Sequence, residues 1–281
     1  MDNNLIDGKK AADKVLAEAA SNVGKLPGKP NLAIVLVGDD PASQLYTKKK
    51  GETCKKVGID SQIIRMPSSS TQSKIIEQVN RLNTNPNIDG ILVQVPLPNG
   101  IDEDAVLSAV HPEKDVDGFQ PENFGKLALN LPTISPCTPK GIIHLLKLSG
   151  VSLPGKHAIV IGRSRIVGKP LALLLLNEGC TVTICHSKTR DICSISRQGD
   201  IVCVAVGKPR FLKADMVKEG AIVVDAGTNR EGEKLVGDVD FDPVSKKASL
   251  ITPVPGGVGP MTVAMLIVNT IECFVRRRAK G

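Results

Sequence analysis

The residue types and spacings best suited to chemistry lie in Gly38-Asp-Asp-Pro41-Ala-Ser43-Gln-Leu-Tyr46-Thr-Lys-Lys-Lys50, which reads as a strand end followed by a helix. Tyr46 and Lys50 stand four residues apart and so share one helix face. A lysine beside a phenol in a partly apolar cleft can have its pKa lowered enough to move protons near neutral pH, and the phenol ring can stack on a flat substrate. Lys48 and Lys49 weigh the other way, because a run of three lysines is usually a solvated face; the spacing to Tyr46 singles out Lys50. Gln94 ends the strand Ile91-Leu-Val-Gln94. The carboxyl ends of strands are where α/β sheets place ligands, although a lone Gln there is more often a structural hydrogen-bonder. Two further runs, Lys114-Asp-Val-Asp117-Gly-Phe119 and Pro253-Val-Pro-Gly256-Gly-Val258-Gly-Pro-Met-Thr262, carry too many special residues for ordinary surface loops and point to constrained backbone near a ligand. Asp117 can accept hydrogen bonds from the ring nitrogens or amines of a heterocycle, and the glycine loop can close over it; a salt-bridged Asp and a plain hinge are the bland alternatives.

A second kind of chemistry is written in Ala158-Ile-Val-Ile-Gly162-Arg163-Ser164-Arg165-Ile-Val-Gly168-Lys-Pro170, where a strand passes through a glycine turn into an apolar helix. Such a turn lets a pyrophosphate approach the backbone at the helix N-terminus. The two glycines stand six apart, so this is not G-x-G-x-x-G, and a tight strand-to-helix turn is the competing reading. NAD enzymes usually place Asp or Glu about 20 residues after the turn to hold the ribose 2′-hydroxyl. Here the second strand ends Cys185-His186-Ser187-Lys188-Thr189 without a carboxylate, and Ser187 and Lys188 can meet a 2′-phosphate together with Arg163 or Arg165, which favours NADP. Short-chain dehydrogenases also use a tyrosine and lysine four apart, but after the glycine turn; here the pair precedes it by more than 100 residues and belongs to a substrate domain.

The elements that must hold these residues alternate. Apolar runs at residues 33–37 and 88–93 read as buried parallel strands, separated by helical patterns at 9–23 and 73–82. The rhythm resumes after Pro154 with short strands at 157–161, 181–184, 201–205 and 221–225. Between the series, Pro112 to Pro139 is less regular and contains the domain boundary, with a helix running on to about Leu148. A last apolar helix covers 261–275. The fold class is therefore a two-lobed α/β enzyme. The chain has 281 residues, 41% of them apolar, enough for one large or two modest domains. It shows no unbroken apolar run long enough to span a bilayer and no signal-type N-terminus, so a cytoplasmic protein without membrane contact is expected. Seven scattered cysteines, odd in number and without C-x-x-C, suit free thiols better than disulfides or zinc, and no metal site is expected. The formal charge of +7 is spread along the chain and aromatic residues are scarce, which favours small polyanionic ligands over nucleic acid.

Together these segments resemble the bifunctional methylenetetrahydrofolate dehydrogenase and methenyltetrahydrofolate cyclohydrolase family over nearly the whole chain. The carriers are Ser43-x-x-Tyr46-x-x-x-Lys50, Gly90-Ile-Leu-Val-Gln94-Val-Pro-Leu-Pro98, Lys114-Asp-Val-Asp-Gly118, Pro136-Cys-Thr-Pro139, Gly162 to Gly168, and Pro253 to Thr262, in this order and spacing. The resemblance implies an N-terminal folate-binding domain at 1–136 completed by a returning helix at 260–281, and a Rossmann-like NADP domain at 137–259. It implies oxidation of 5,10-methylenetetrahydrofolate by NADP and hydrolysis of the methenyl product to 10-formyltetrahydrofolate, in one cleft. On it, Lys50 assists water attack and proton transfer, Tyr46 stacks on the aminobenzoate ring, Gln94 positions Lys50 and Asp117 anchors the pterin. Gly256, Val258 and Thr262 would line the folate site, and Gly162, Arg163, Ser164, Ser187 and Thr228 would meet the cofactor. A homodimer joined through the nucleotide domains is implied too. Thr228 departs from the pattern, many members having an aliphatic residue there. A dehydrogenase of the same fold with a weak cyclohydrolase step is the alternative, and a non-catalytic binding module the more distant one.

Overall fold

The computed structural model describes residues 4–232 and 234–278; of the expected last helix, 279–281 lie outside them. The chain forms two compact units, one made of Lys14–Cys137 with residues 263–278, the other of residues 4–13 with Thr138–Thr262.

In chain order, the first unit is built from the part of α1 (Gly8–Val23) that follows Asp13, then β1 (Asn31–Val37), α2 (Pro41–Val57), β2 (Asp60–Met66), α3 (Gln72–Thr84), β3 (Gly90–Val93), α4 (Glu103–Ser108) and α5 (Pro121–Ala128). Its parallel sheet has the order β2-β1-β3. The central strand, Asn-Leu-Ala-Ile-Val-Leu-Val, is buried along six of its seven residues, which is why it reads as a continuous apolar run rather than an alternation. β2 lies at the edge with its residues largely exposed or half-buried; its sequence, Asp-Ser-Gln-Ile-Ile-Arg-Met, has no strong strand pattern, and the sequence reading passes over it for that reason. Helix α5 occupies the stretch expected to be irregular. It is short and starts on local chemistry, Pro121 in its first turn and Gln120 accepting from the Glu122 N–H.

The second unit contains α6 (Cys137–Leu148), β4 (His157–Ile161), α7 (Gly168–Asn177), β5 (Thr181–Cys185), α8 (Ile192–Ser196), β6 (Ile201–Val204), β7 (Ile222–Asp225), the hairpin β8 (Asn229–Glu231) and β9 (Lys234–Val236), α9 (Phe241–Ser245) and β10 (Leu250–Ile251). Its five-stranded sheet is parallel throughout, in the order β10-β7-β6-β4-β5, with strands of four or five residues apart from the two-residue β10. Residues 4–13 belong here, outside the lobe the sequence reading gives them, because backbone bonds hold them: the Ile6 N–H donates to Ile251 O at 2.8 Å and the Lys9 N–H to Gly256 O at 3.0 Å.

The last helix, α10 (Val258–Arg278), starts three residues earlier and ends three later than its apolar period suggests. By length and composition it could cross a bilayer, but Met261, Val263 to Ile267, Cys273 and Phe274 are buried within the protein, as in the core helix of a globular enzyme.

Candidate active and cofactor sites

Three features of the first unit deliver its chemical residues to the carboxyl ends of adjacent parallel strands. Helix α2 follows β1 directly; Asp40 caps it by accepting from the Ser43 N–H at 2.7 Å, and Pro41 sits in its first turn. Gln94 follows β3, its N–H still donating to Val35 O at 2.9 Å. Residues 114–117 run parallel to β3, Asp115 opposite Ile91 with the Ile91 N–H donating to Lys114 O at 2.7 Å, and this register carries Asp117 to the same end.

Lys50 is buried, 8% exposed, while Lys48 and Lys49 are solvated, so one of the three lysines is set apart as the spacing to Tyr46 anticipates. Its Nζ donates to Gln94 Oε1 at 3.0 Å and stands 5.9 Å from the centroid of the Tyr46 ring. Gln94 Nε2 donates to Val95 O at 2.7 Å; a carbonyl only accepts, so the amide is oriented with its oxygen toward the ammonium. Tyr46 is 40% exposed, an aromatic face left available next to a buried cation. Asp117 keeps partial solvent access, and burial raises its carboxyl above the ordinary carboxylate range, with the Lys50 charge and a hydrogen bond to Cys137 pulling the other way. Ser43 and Thr47 share the buried face of α2 with Lys50, and their hydroxyl oxygens have no hydrogen-bond partner among the described residues.

The loop carrying Asp117 is fastened from both sides by residues the sequence reading does not single out. Buried Asp115 accepts from the Gly118 N–H at 3.0 Å, the Gln120 N–H at 2.8 Å and Asn123 Nδ2 at 3.1 Å; desolvation pushes its carboxyl up to about 6. From α10, buried Asn269 Nδ2 donates to Val116 O at 2.8 Å and Ser135 O at 2.9 Å, and Cys137 Sγ donates to Val116 O at 3.3 Å. Lys114 has a structural task, its Nζ donating to Leu82 O at 2.9 Å and Asn85 O at 2.7 Å at the end of α3, with burial lowering its pKa to about 8. The Lys-Asp-Val-Asp-Gly run is the only sequence signal for Asp115; nothing local marks Asn269, which reads as one polar residue in an apolar helix.

In the second unit the glycine turn is built for close backbone approach. Gly162 has φ +128°, and a Cβ there would fall 2.3 Å from Ala205 O; at Gly168 it would fall 2.2 Å from Gly162 O. Ser164 Oγ accepts from the Val167 N–H at 3.1 Å and the Gly168 N–H at 3.2 Å, bracing the start of α7 while staying exposed. Arg163, Ser187 and Thr228 are exposed, Arg163 at the glycine turn, Ser187 beyond β5 and Thr228 beyond β7. These three strands, β4, β5 and β7, all end at the carboxyl edge of one parallel sheet, the edge at which such sheets take ligands. The turn, the missing carboxylate after β5 and the exposed Arg163 and Ser187 fit a dinucleotide carrying a 2′-phosphate. Gly256, with φ +109°, lies in the proline-glycine loop, while Val258 and Thr262 lie in the first turns of α10 rather than in the loop. Val258 is buried, and Thr262 Oγ1 lies 3.0 Å from Thr138 Oγ1 of the Pro-Cys-Thr-Pro run.

A parallel sheet with a backbone-lined glycine turn in one unit, and a lysine buried against an amide and a carboxylate in the other, define a dinucleotide-dependent α/β enzyme. Comparison with known proteins gives the family. The family model described as the catalytic domain of tetrahydrofolate dehydrogenase/cyclohydrolase matches residues 6–117, and that of its NAD(P)-binding domain matches residues 136–278. The bifunctional protein FolD of a Nitratiruptor species is 52% identical over 278 residues, covering 98% of this chain and 99% of the relative. The crystal structure of the bifunctional FolD methylenetetrahydrofolate dehydrogenase/cyclohydrolase from Campylobacter jejuni superposes with a TM-score of 0.95 at 48% identity, over 97% of this chain and 99% of that one. The Trypanosoma brucei dehydrogenase-cyclohydrolase, solved with NADP and an inhibitor, has a TM-score of 0.92 at 40% identity, over 97% of each chain. The chain belongs to the tetrahydrofolate dehydrogenase/cyclohydrolase family.

Proposed function

We propose that Lys50, Gln94, Tyr46 and Asp117 form the reaction centre of an enzyme that oxidises 5,10-methylenetetrahydrofolate with NADP and hydrolyses the methenyl product to 10-formyltetrahydrofolate. Family membership supports both activities and the cofactor. The observation that carries the residue roles is the Lys50 to Gln94 hydrogen bond of 3.0 Å, which fixes a buried ammonium next to an exposed aromatic face.

Bound NADP supplies a hydride acceptor, chemistry that asks the protein for placement more than for an acid or base. Gly162 gives its backbone to the pyrophosphate, Arg163 and Ser187 hold the 2′-phosphate, and Ser164 and Thr228 border the cofactor. Tyr46 stacks on the aminobenzoate ring. Asp117 anchors the pterin by accepting its N–H groups, which an ionised carboxylate does best. Gly256, Val258 and Thr262 line the folate site. Hydrolysis of the methenyl cation does need proton handling: a water oxygen bonds to the bridging carbon and gives up both its protons, one ending on the ring nitrogen as that nitrogen's bond to the carbon breaks and one released to solvent, which leaves the neutral formyl product. Lys50, oriented by Gln94, assists the attack and moves the proton.

We also assign a homodimer through the second unit. β5 is an edge strand of the sheet, its Ile184 is 42% exposed, and Leu176 of the preceding helix α7 is 56% exposed, an apolar surface next to unpaired backbone of the kind a symmetric partner covers. The free cysteines suit a reducing, cytoplasmic setting.

The test is a spectroscopic assay with methylenetetrahydrofolate and NADP, following NADPH and the methenyl species separately, with NAD as control. NADPH formation without build-up of the methenyl species is expected. A persistent methenyl species would reduce the assignment to a dehydrogenase alone, and no NADPH would overturn it.

A further inference from the structure

The carboxyl edge of the five-stranded sheet holds two buried carboxylates, Asp225 at the end of β7 and Asp238 just after β9, both with negligible exposure. Negative charge at the edge that takes an anionic dinucleotide works against binding, unless it is spent on other partners. Here it is spent. Asp238 Oδ2 accepts from the Val206 N–H at 2.6 Å and the Gly207 N–H at 2.9 Å, while Oδ1 accepts from the Lys208 N–H at 2.9 Å and Asn229 Nδ2 at 2.9 Å. Three consecutive backbone N–H groups thus form an anion-binding nest around a carboxylate of the same chain. Asp225 holds Asp238 in turn: its Oδ1 accepts from the Asp238 N–H at 3.0 Å and the Gly227 N–H at 2.9 Å, and its Oδ2 from the Val239 N–H at 2.9 Å. The packing leaves no slack. A Cβ on Gly227 would lie 2.3 Å from Asp238 Cγ, and one on Gly237 would lie 1.8 Å from Asp225 Oδ2.

The turn that Asp238 gathers, residues 206–208, continues directly from Ala205, the residue whose carbonyl packs against Gly162 of the glycine turn. The turn that Asp225 and Asp238 share with Asn229 carries Thr228. We propose that Asp238 is a positioning residue for the cofactor: its carboxylate ties the turn after β6 to the turn after β7, setting the backbone that borders the dinucleotide. The inference rests on the NADP-binding role assigned to this unit. Asp225 acts one step further back by fixing the backbone of Asp238. Burial, helped by the neighbouring Asp238, pushes the Asp225 carboxyl up to about 6, in keeping with two carboxylates set close together.

Asp238→Asn keeps the shape and breaks the device, because an amide offers one oxygen where two are needed and turns an NH2 toward two N–H donors. NADP affinity by titration calorimetry and KM for NADP are expected to weaken about 10- to 100-fold, the loss typical of hydrogen bonds to a charged group. The cyclohydrolase rate, measured on the methenyl substrate without NADP, is expected to stay within about twofold, since a bond made only around the cofactor contributes nothing to that step. Unchanged NADP affinity overturns the proposal, and so does a matching loss of both activities, which would make Asp238 a residue of general stability. Should Asp238→Asn not fold, Asn229→Ala removes one of the four donors and is expected to weaken NADP binding about three- to tenfold; no change there overturns it equally. NADP binding by the unaltered chain is the control: if it is absent, the cofactor assignment fails, not the positioning role.

Discussion

Both units place their candidate residues at the carboxyl ends of parallel strands, but they use their polar groups in opposite ways. In the first, the candidate residues are side chains with chemistry of their own, which we propose face the substrate: Lys50 is held by Gln94, Tyr46 is exposed, and Asp117 keeps partial solvent access. In the second, the surface offered to the ligand is backbone, shaped by Gly162 and Gly168, and the carboxylates Asp225 and Asp238 turn inward to hold it. A hydride transfer needs a cofactor in the right place, whereas hydration of a cation needs a proton carrier. The contrast also shows a shared device, since Asp115 does for the Asp117 loop what Asp238 does for the cofactor turns: a buried carboxylate collects backbone N–H groups and stiffens a loop.

The strongest break between the two regions is expected from Lys50→Met. Removing the buried ammonium beside Gln94 should lower the cyclohydrolase rate by about 10³-fold, within the range for loss of a general acid or base. The dissociation constant for NADP, set in the other unit, should stay within about twofold, because sites without shared partners act additively. Cyclohydrolase turnover near that of the unaltered enzyme would sink the role given to Lys50.

How much of this was legible in the sequence follows from the same contrast. The candidate residues Lys50 and Tyr46 are singled out by helical spacing, Gln94 by its place at a strand end, and Asp117 by a run dense in Asp and Gly. The two sheets are legible because β1, β3, β4, β6 and β7 are buried on both faces and read as apolar runs. β2 is not, since it opens on the polar and exposed Asp60, Ser61 and Gln62 and has no regular alternation, and neither is the hairpin β8–β9, whose exposed residues carry almost no apolar signal. The supporting residues are harder still. Asn269 reaches Val116 across 153 positions of chain, and Asp238 reaches Val206 across 32, so their partners exist only once the fold has brought them together. A residue that acts on substrate can be guessed from its type; one that acts on distant backbone cannot.

The shared device has a pH signature. Desolvation lifts the Asp115 carboxyl from 3.8 to about 6 in the folded chain, so the fold binds that proton more tightly than the unfolded chain does. Its contribution to stability is therefore fully present below the unfolded value of 3.8 and is lost as pH rises through about 6. Asp115→Asn does not titrate there. Denaturant unfolding of both proteins at pH 4 and pH 7 should show the variant gaining on the unaltered chain as pH rises, by at most about 3 kcal/mol at 1.36 kcal/mol per pKa unit. The N–H bonds that favour the ionised carboxylate, from Gln120 and Asn123, already act within that pKa and only reduce the gain. A stability difference independent of pH would mean that Asp115 stays ionised throughout, held by its N–H donors.

The smallest effect concerns which dinucleotide the backbone cradle prefers. On the proposed assignment, Gly162 and Gly168 shape a pyrophosphate site that does not distinguish NADP from NAD, so the choice falls to side chains at the rim, Arg163 at the glycine turn and Ser187 beyond β5. Both are exposed, and an exposed guanidinium-phosphate contact is partly screened by salt. Replacing both by alanine should cost NADP about tenfold in kcat/KM, about 1.4 kcal/mol, while leaving NAD nearly untouched, because only one of the two carries the extra phosphate. The ratio of kcat/KM for the two cofactors, measured at low and at physiological salt, reads the effect directly. Selectivity should narrow at both salts, and more at low salt, where the lost contact is strongest. Equal losses for NADP and NAD would show instead that Arg163 and Ser187 shape the turn for any dinucleotide, and the 2′-phosphate would then have to be held elsewhere along the carboxyl edge of the sheet.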